Sequence, residues 1–190
     1  MTAATTSSTT GTQQSVKWTL DGSHSSVTFS VRHMMITNVR GEFQKVTGSA
    51  TYDAAKPEAT KLEATIDVAS IQTREAARDT HLKSADFFDA EKFPTIAFIS
   101  KRASKKGAGE IELVGDLTIH GVTHEVTLQV AEITAEHKDP YGNQRIGATA
   151  TTKIKRSDYG MTFNSVIDAG GVLVGDEVKI QLDVSLIRNK

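Results

Sequence analysis

Period-two alternation limits this chain more than any other feature. Near the C-terminus, Val178, Ile180, Leu182, Val184 and Leu186 alternate with Lys179, Gln181, Asp183 and Ser185. Successive strand side chains point to opposite faces, so such a run is a strand with one buried face. Val27, Phe29 and Val31 repeat the pattern, as do Leu62, Ala64, Ile66 and Val68. Further sets are Ile111, Leu113, Leu117 and Ile119, with Gly115 in register, and Val126, Leu128 and Val130. The Thr-rich stretch 144–155 is a weaker strand. Several runs reach about ten residues, beyond the usual five or six. Two change parity: Val39, Gly41 and Phe43 give way to Val46, Gly48, Ala50 and Tyr52, and Val130 to Ile133. A parity change in a long strand marks a bulge or turn, as a curved sheet needs. Turn chemistry is expected at Lys105-Lys106-Gly107, His120-Gly121, 139–143 and Ala169-Gly170-Gly171. With seven to nine strands and no βαβ alternation, the architecture is all-β: an antiparallel barrel or a strongly bent sandwich.

One stretch breaks the alternation. Thr73 is placed to cap a helix starting at Arg74, and residues 74–86 form a short helical insertion. Phe87, Phe88 and Phe93 follow as an aromatic loop. Residues 157–172 read as irregular, with room for one helical turn. Seven of the first ten residues are Ser or Thr and no Lys or Arg precedes Lys17, so residues 1–15 are expected to be a disordered polar tail. The rest, 16–190, is expected to be a single domain. No basic n-region followed by an apolar h-region occurs, which leads to the expectation of a cytoplasmic protein. No run of 18 apolar residues is present, so no spanning helix is expected. A net charge of −1 argues against a nucleic-acid binder with an all-basic surface. The absence of cysteine excludes disulfides, thiolate metal sites and a thiol nucleophile.

An eight-stranded barrel is either filled or holds one ligand. The inward sets supply an apolar wall that includes Val27, Phe29, Val31, Ile66, Val68, Leu117 and Ile119. Small residues in apolar register (Gly41, Gly48, Ala50, Ala64, Gly115) leave volume between those walls. His33 continues the parity of Val31. It either meets a polar head group at a barrel mouth or is a rim histidine bonded to backbone. Arg74, Arg78 and His81, spaced by four and three, share one helix face. They either meet a phosphate or carbonyl or form a network, with Asp79 pairing Arg78, that ties the helix to the barrel. Phe87, Phe88 and Phe93 line the tunnel, anchor the insertion, or both. His120 and His124 flank a hairpin turn, where a spacing of four does not align metal ligands, so no metal is expected. No nucleophile elbow, paired carboxylates or phosphate-binding loop occurs, so the chain is read as non-catalytic. The alternatives are an enzyme acting on an isoprenoid lipid, with His81 as acid or base, and an interaction protein with a filled barrel. The lysine-rich KRASKKG (101–107) reads as a solvated loop, or less readily as a patch for anionic lipid heads.

Several motifs occur in order: SHSSVTFSVRH (23–33), GEFQKVTGSATYD (41–53), SIQTREAARDTHLKSADFFDAEKFPTIAF (70–98), VGDLTIHGVTHEVTL (114–128), RSDYGM (156–161) and VGDEVKIQLDV (174–184). Together they resemble the YceI family of lipocalin-like proteins over residues 16–188. The resemblance implies an extended eight-stranded antiparallel barrel with a helical insertion. It implies a tunnel holding a long amphiphile such as a polyisoprenoid, an isoprenoid quinone or a fatty-acid derivative, with no other cofactor. It also implies a homodimer. Family members commonly carry a secretion signal, and this sequence departs from them there. On this reading His33, Arg78 and His81 are the polar candidates near the head group or tunnel mouth.

Overall fold

Ladder pairing turns the alternating runs into a closed antiparallel barrel in the computed structural model, which describes residues 16–167 and 171–190. The expected tail at 1–15 and most of the expected turn at 169–171 lie outside the described residues. The first strands are β1 (Lys17–Leu20), β2 (Ser26–His33), β3 (Thr37–Phe43), β4 (Val46–Thr51), β5 (Lys61–Asp67) and β6 (Ile71–Gln72). Helix α1 (Ala76–Lys83) follows. The long strands β7 (Thr95–Gly107), β8 (Glu110–Ile119) and β9 (Val122–Ala131) come next, then β10 (His137–Lys138) and β11 (Gln144–Lys155). The chain ends with β12 (Val166–Ile167), β13 (Gly171–Val172) and β14 (Val174–Arg188).

The wall has eight positions. Three are bent pairs. β1 and β2 both lie beside β14, and on their other side meet β4 and β3 respectively. β5 and β6 continue the row beside β4 and β3. Strands β7, β8, β9, β11 and β14 complete the ring. The parity change seen between Phe43 and Val46 is the break between β3 and β4. There the Gln44 amide donates to the Ser70 carbonyl and the Lys45 amide to Ser70 Oγ, so the bend leaves neither amide unpaired. Closure is uneven around the ring. β11 and β14 pair along eleven rungs, whereas β9 and β11 share three, Thr149↔Ala131 to Thr151↔Gln129.

Inward parity becomes core. Trp18 is 1% exposed and donates Nε1–H to the Tyr52 carbonyl, so its polar edge is satisfied. Gly115 is required by close approach. A Cβ there would collide with the Ile99 carbonyl oxygen and with the Phe98 ring, 2.7 Å away. The register of β7 shifts between Ser100 and Arg102 at this level, and the bulge carries the two backbones together.

Three expectations are corrected. KRASKKG is the second half of β7, and the turn falls later, at Gly109 with φ +70°. Its cations face carboxylates on neighbouring strands: Lys101 meets Asp116, Arg102 meets Glu125 and Lys106 meets Glu112. The helix begins at Ala76, because Arg74 holds φ +65°, which no right-handed turn accepts. Glu75, not Thr73, is its cap and accepts from the Ala77 amide. Arg74 therefore lies outside the helix and shares no helical face with Arg78 and His81.

The hairpin from β2 to β3 is tight. The Ile36 amide donates to the His33 carbonyl at 3.0 Å, and both central residues, Met34 and Met35, have positive φ, 50° and 59°. Left-handed backbone costs about 1–2 kcal/mol for a residue with a side chain.

Candidate functional site

The barrel is not filled. An apolar cavity of about 230 Å³ runs inside it. A cavity of roughly 150 Å³ lined by Leu, Ile and Phe accepts benzene, so a largely apolar void of this size has room for part of an apolar ligand. Its shape is long. Ile146, Ala148, Ala150, Thr152 and Ile154 of β11 all border it. Eight residues of strand cover about 27 Å, or about 20 Å along the axis of a barrel with tilted strands. That volume spread over that length makes a thin bore, the shape of one extended chain. On β14 the border runs from Val174 through Val178, Ile180, Leu182 and Val184 to Leu186.

The ends of the barrel differ in charge. At one end Leu20, Leu186 and Ile146 form neighbouring rungs. Just beyond them, Arg145 donates to Asp21 at 2.6 Å and to Asp139 at 2.7 Å. This cation is fully compensated. Ser23, then Arg145 and His24, hold the Asp21 carboxyl well below the usual carboxylate range. Arg145, then Asn143, do the same for Asp139. A depressed folded-state pKa contributes stability above the unfolded value, about 3.9, that is lost as pH falls below it. The thermal midpoint is therefore expected to drop between about pH 5 and pH 2. Asp21→Asn and Asp139→Asn should flatten that dependence, as read by circular dichroism melts across the range.

At the other end Arg156, 6% exposed, borders the cavity. It follows β11 at the start of a 3₁₀ turn, Arg156–Tyr159. Its Nε donates to the Gly175 carbonyl at 3.0 Å, Nη1 to Met161 at 2.6 Å and Nη2 to Val174 at 3.2 Å. All three acceptors are neutral, and burial lowers the guanidinium pKa against the opposing charge of nearby Asp176. A guanidinium carries five N–H donors, so the carbonyls leave capacity for another acceptor. Tyr159, in the same turn, is 1% exposed, and its Oη has no hydrogen-bond partner. Burial, with Asp158 adding to it, pushes this phenol up to about 12. A buried cation whose own hydrogen bonds all go to neutral carbonyls can hold a further carbonyl, carboxylate or phosphate oxygen. Arg156 continues the inward parity of Ile146 to Ile154, and that signal was available to find it.

Of the apolar candidates, Val27, Phe29, Val31, Ile66, Phe87, Phe88, Leu117 and Ile119 border the cavity. Val68 and Phe93 do not. Beyond Ile66 the chain leaves strand geometry for a 3₁₀ turn, Val68–Ser70, capped by Asp67, so parity no longer predicts the face of Val68, which is buried elsewhere in the core. Phe93 packs on His120, with ring centroids 4.7 Å apart.

The polar candidates lie outside the wall. Arg78 donates through Nε to Thr73 Oγ1 and through Nη2 to the Thr73 carbonyl, while Asp79 accepts from the Thr73 amide and hydroxyl. The expected pairing of Arg78 with Asp79 is corrected: no direct bond joins them among the described residues, and buried Thr73 links the two. His81 Nε2 bonds Asp86 at 2.8 Å, and the ring meets Phe87 and Phe163 edge-on. His33 ends β2 opposite Val174 and Thr37. His33 is half-buried and keeps the parity of Val31, but it does not border the cavity, although its rung partner Val174 does. His120 Nδ1 and His124 Nε2 bond the carbonyls of Tyr159 and Asp158 at 3.1 and 3.0 Å, tying the 3₁₀ turn to the β8–β9 hairpin. Among the described residues no group of three or more His, Asp or Glu is placed to hold a metal ion, and no helix is long and apolar enough to cross a membrane.

The YceI-like domain matches residues 18–186 of the chain. A UPF0312 protein of Staphylococcus aureus (strain MSSA476) is 40% identical over 165 residues, covering 86% of this chain and 93% of the relative. Among solved structures, BcnA of Burkholderia cenocepacia aligns with a TM-score of 0.77 at 25% identity, covering 87% of this chain and 98% of that one. A polyisoprenoid binding domain from Saccharophagus degradans, described as implicated in plant cell wall breakdown, shares the fold with a TM-score of 0.66 at 14% identity, over 90% of this chain and 98% of that one.

Proposed function

The chain belongs to the YceI-like family, and we propose on that premise that it is a binding protein for a long-chain amphiphile: a polyisoprenoid, an isoprenoid quinone or a fatty-acid derivative. The observation that carries this reading is the thin apolar cavity running along the barrel. A polyprenyl or acyl tail offers a protein little but apolar area, worth about 25 cal/mol per Å² when removed from water. A narrow bore recovers that energy along the whole tail. The neighbouring polyisoprenoid binding domain of Saccharophagus degradans has the same fold and is consistent with this use of it.

In this reading the polar end of the ligand lies beside Arg156, and His33 is a rim candidate on the same rung as the cavity-bordering Val174. Arg78 and His81 hold the helical insertion in place. The tail passes Phe29, Phe87 and Phe88. The test is direct. Purified protein is denatured, extracted with organic solvent and analysed by mass spectrometry, and the emptied protein is then titrated with a quinone, a polyprenol and a headless hydrocarbon. A long-chain lipid in the extract is expected. Uptake should be tighter for the chains with an oxygen-bearing head, as the Arg156 guanidinium requires. Repeated extracts without lipid, together with no uptake in titration, would overturn the proposal. Homodimerisation is part of the proposal through the family alone, and light scattering of the pure protein checks it.

A further inference from the structure

The β2–β3 hairpin tip combines two features that ordinary folding does not favour together. Its central residues, Met34 and Met35, both adopt positive φ. Asn-Gly takes that conformation with far less strain and is the usual choice in such turns. The side chains at the tip are instead large, apolar and open to solvent: Met35 is 56% exposed and Ile36 73%. Val172, also exposed, adds to the patch from the neighbouring segment, where the Met34 amide donates to the Leu173 carbonyl. Strain held at a solvent-facing apolar turn points to a use outside the fold.

Position and charge say what that use is. Val31 and Val174 border the cavity at its Arg156 end, and His33, paired with Val174, is the last strand residue before the tip. Arg32 and Arg40 are exposed on β2 and β3, and neither has an ion-pair partner among the described residues. The acids of the adjoining β14 bulge are engaged elsewhere: Asp176 holds the Ser157 amide and hydroxyl, and Glu177 faces Lys153. An apolar tip with unpaired guanidinium groups behind it matches a bilayer, with acyl boundary outermost and anionic headgroups around it.

We propose that the Met34–Met35–Ile36 tip docks the barrel on a lipid bilayer bearing anionic headgroups. Met35 and Ile36 enter the acyl boundary, Arg32 and Arg40 meet the phosphates, and the Arg156 end of the cavity is set at the surface. This goes beyond the binding role and does not depend on which amphiphile fills the cavity.

The experiment is flotation of the full chain with phosphatidylcholine vesicles, with and without phosphatidylglycerol. The comparison protein is the double variant Met34→Asn with Met35→Gly. Those residues suit the turn, so the variant's thermal midpoint is expected to equal or exceed the wild type's, and its uptake of quinone from detergent micelles to be unchanged. The wild-type chain should float with phosphatidylglycerol vesicles, less with phosphatidylcholine alone and less in high salt. The variant should lose about tenfold in partitioning. No flotation of the wild type, or equal flotation of the folded variant, overturns the proposal. So does a wild-type dimer that the variant dissolves in light scattering, which would make the tip a protein contact. Failure of quinone uptake in both proteins would count against the binding role and leave the vesicle result to be read separately.

Discussion

Phenylalanine in place of Ala150 is expected to abolish uptake of any long-chain ligand while the barrel stays folded. Ala150 sits mid-strand on β11, between Val130 on β9 and Leu182 on β14, and borders the cavity. A thin bore is closed by one benzyl group. Enlarging a residue in a filled core costs about 1–3 kcal/mol, because neighbours must move. Here the ring enters a void whose lining lacks contact partners, so regained dispersion offsets much of that cost. Quinone titration should show no saturable binding, with a thermal midpoint within a few degrees of wild type. Ala64→Phe, from β5, tests the same idea from another wall position. Two folded variants that still bind would move the ligand out of the barrel.

Valine in place of Gly115 is expected to leave no folded protein. The obstacle is backbone as well as side chain. A Cβ at this position meets the Ile99 carbonyl oxygen, and Ser100 Cα lies 2.8 Å away. A flexible neighbour can swing aside, but a carbonyl fixed in a ladder moves only by breaking the β7–β8 register. Marginal stabilities of about 5–15 kcal/mol do not survive the loss of a central ladder. Expression with solubility and far-ultraviolet circular dichroism reads the outcome. A soluble Gly115→Val barrel with a wild-type melt would show that the β7 bulge is softer than its geometry.

These two positions show what alternation can and cannot convey. Gly115 is visible as a small residue in apolar register, and Val27 to Val31 and Val178 to Leu186 reveal their inner face at sight, because strand periodicity is strictly two. The break between Phe43 and Val46 is equally visible as a parity change. A cavity is harder, since it depends on the bore of the closed sheet against the summed volume of side chains from eight wall positions. The polar site is harder again. Parity extrapolated past a strand end misleads at Val68, where a 3₁₀ turn begins. The same extrapolation is correct at Arg156, because β11 stays regular up to Lys155. Charge spacing in the insertion suggested a face made of Arg74, Arg78 and His81. The left-handed backbone of Arg74 removes one member, and Thr73 engages another.

The uneven closure of the ring has a consequence in time. Amide hydrogens locked in the eleven-rung β11–β14 ladder exchange with solvent only when much of the barrel opens. The β9–β11 seam has three rungs, supplemented by two histidine bonds to the 3₁₀ turn. Its opening involves few bonds, so native-state deuterium uptake at those amides of residues 129–131 that point to β11 should outpace uptake along the centre of β14 by orders of magnitude. A barrel zipped tightly on one side and lightly on the other behaves as a sleeve with a slit. A seam that opens locally gives a long chain a route into the bore while the rest of the barrel stays closed.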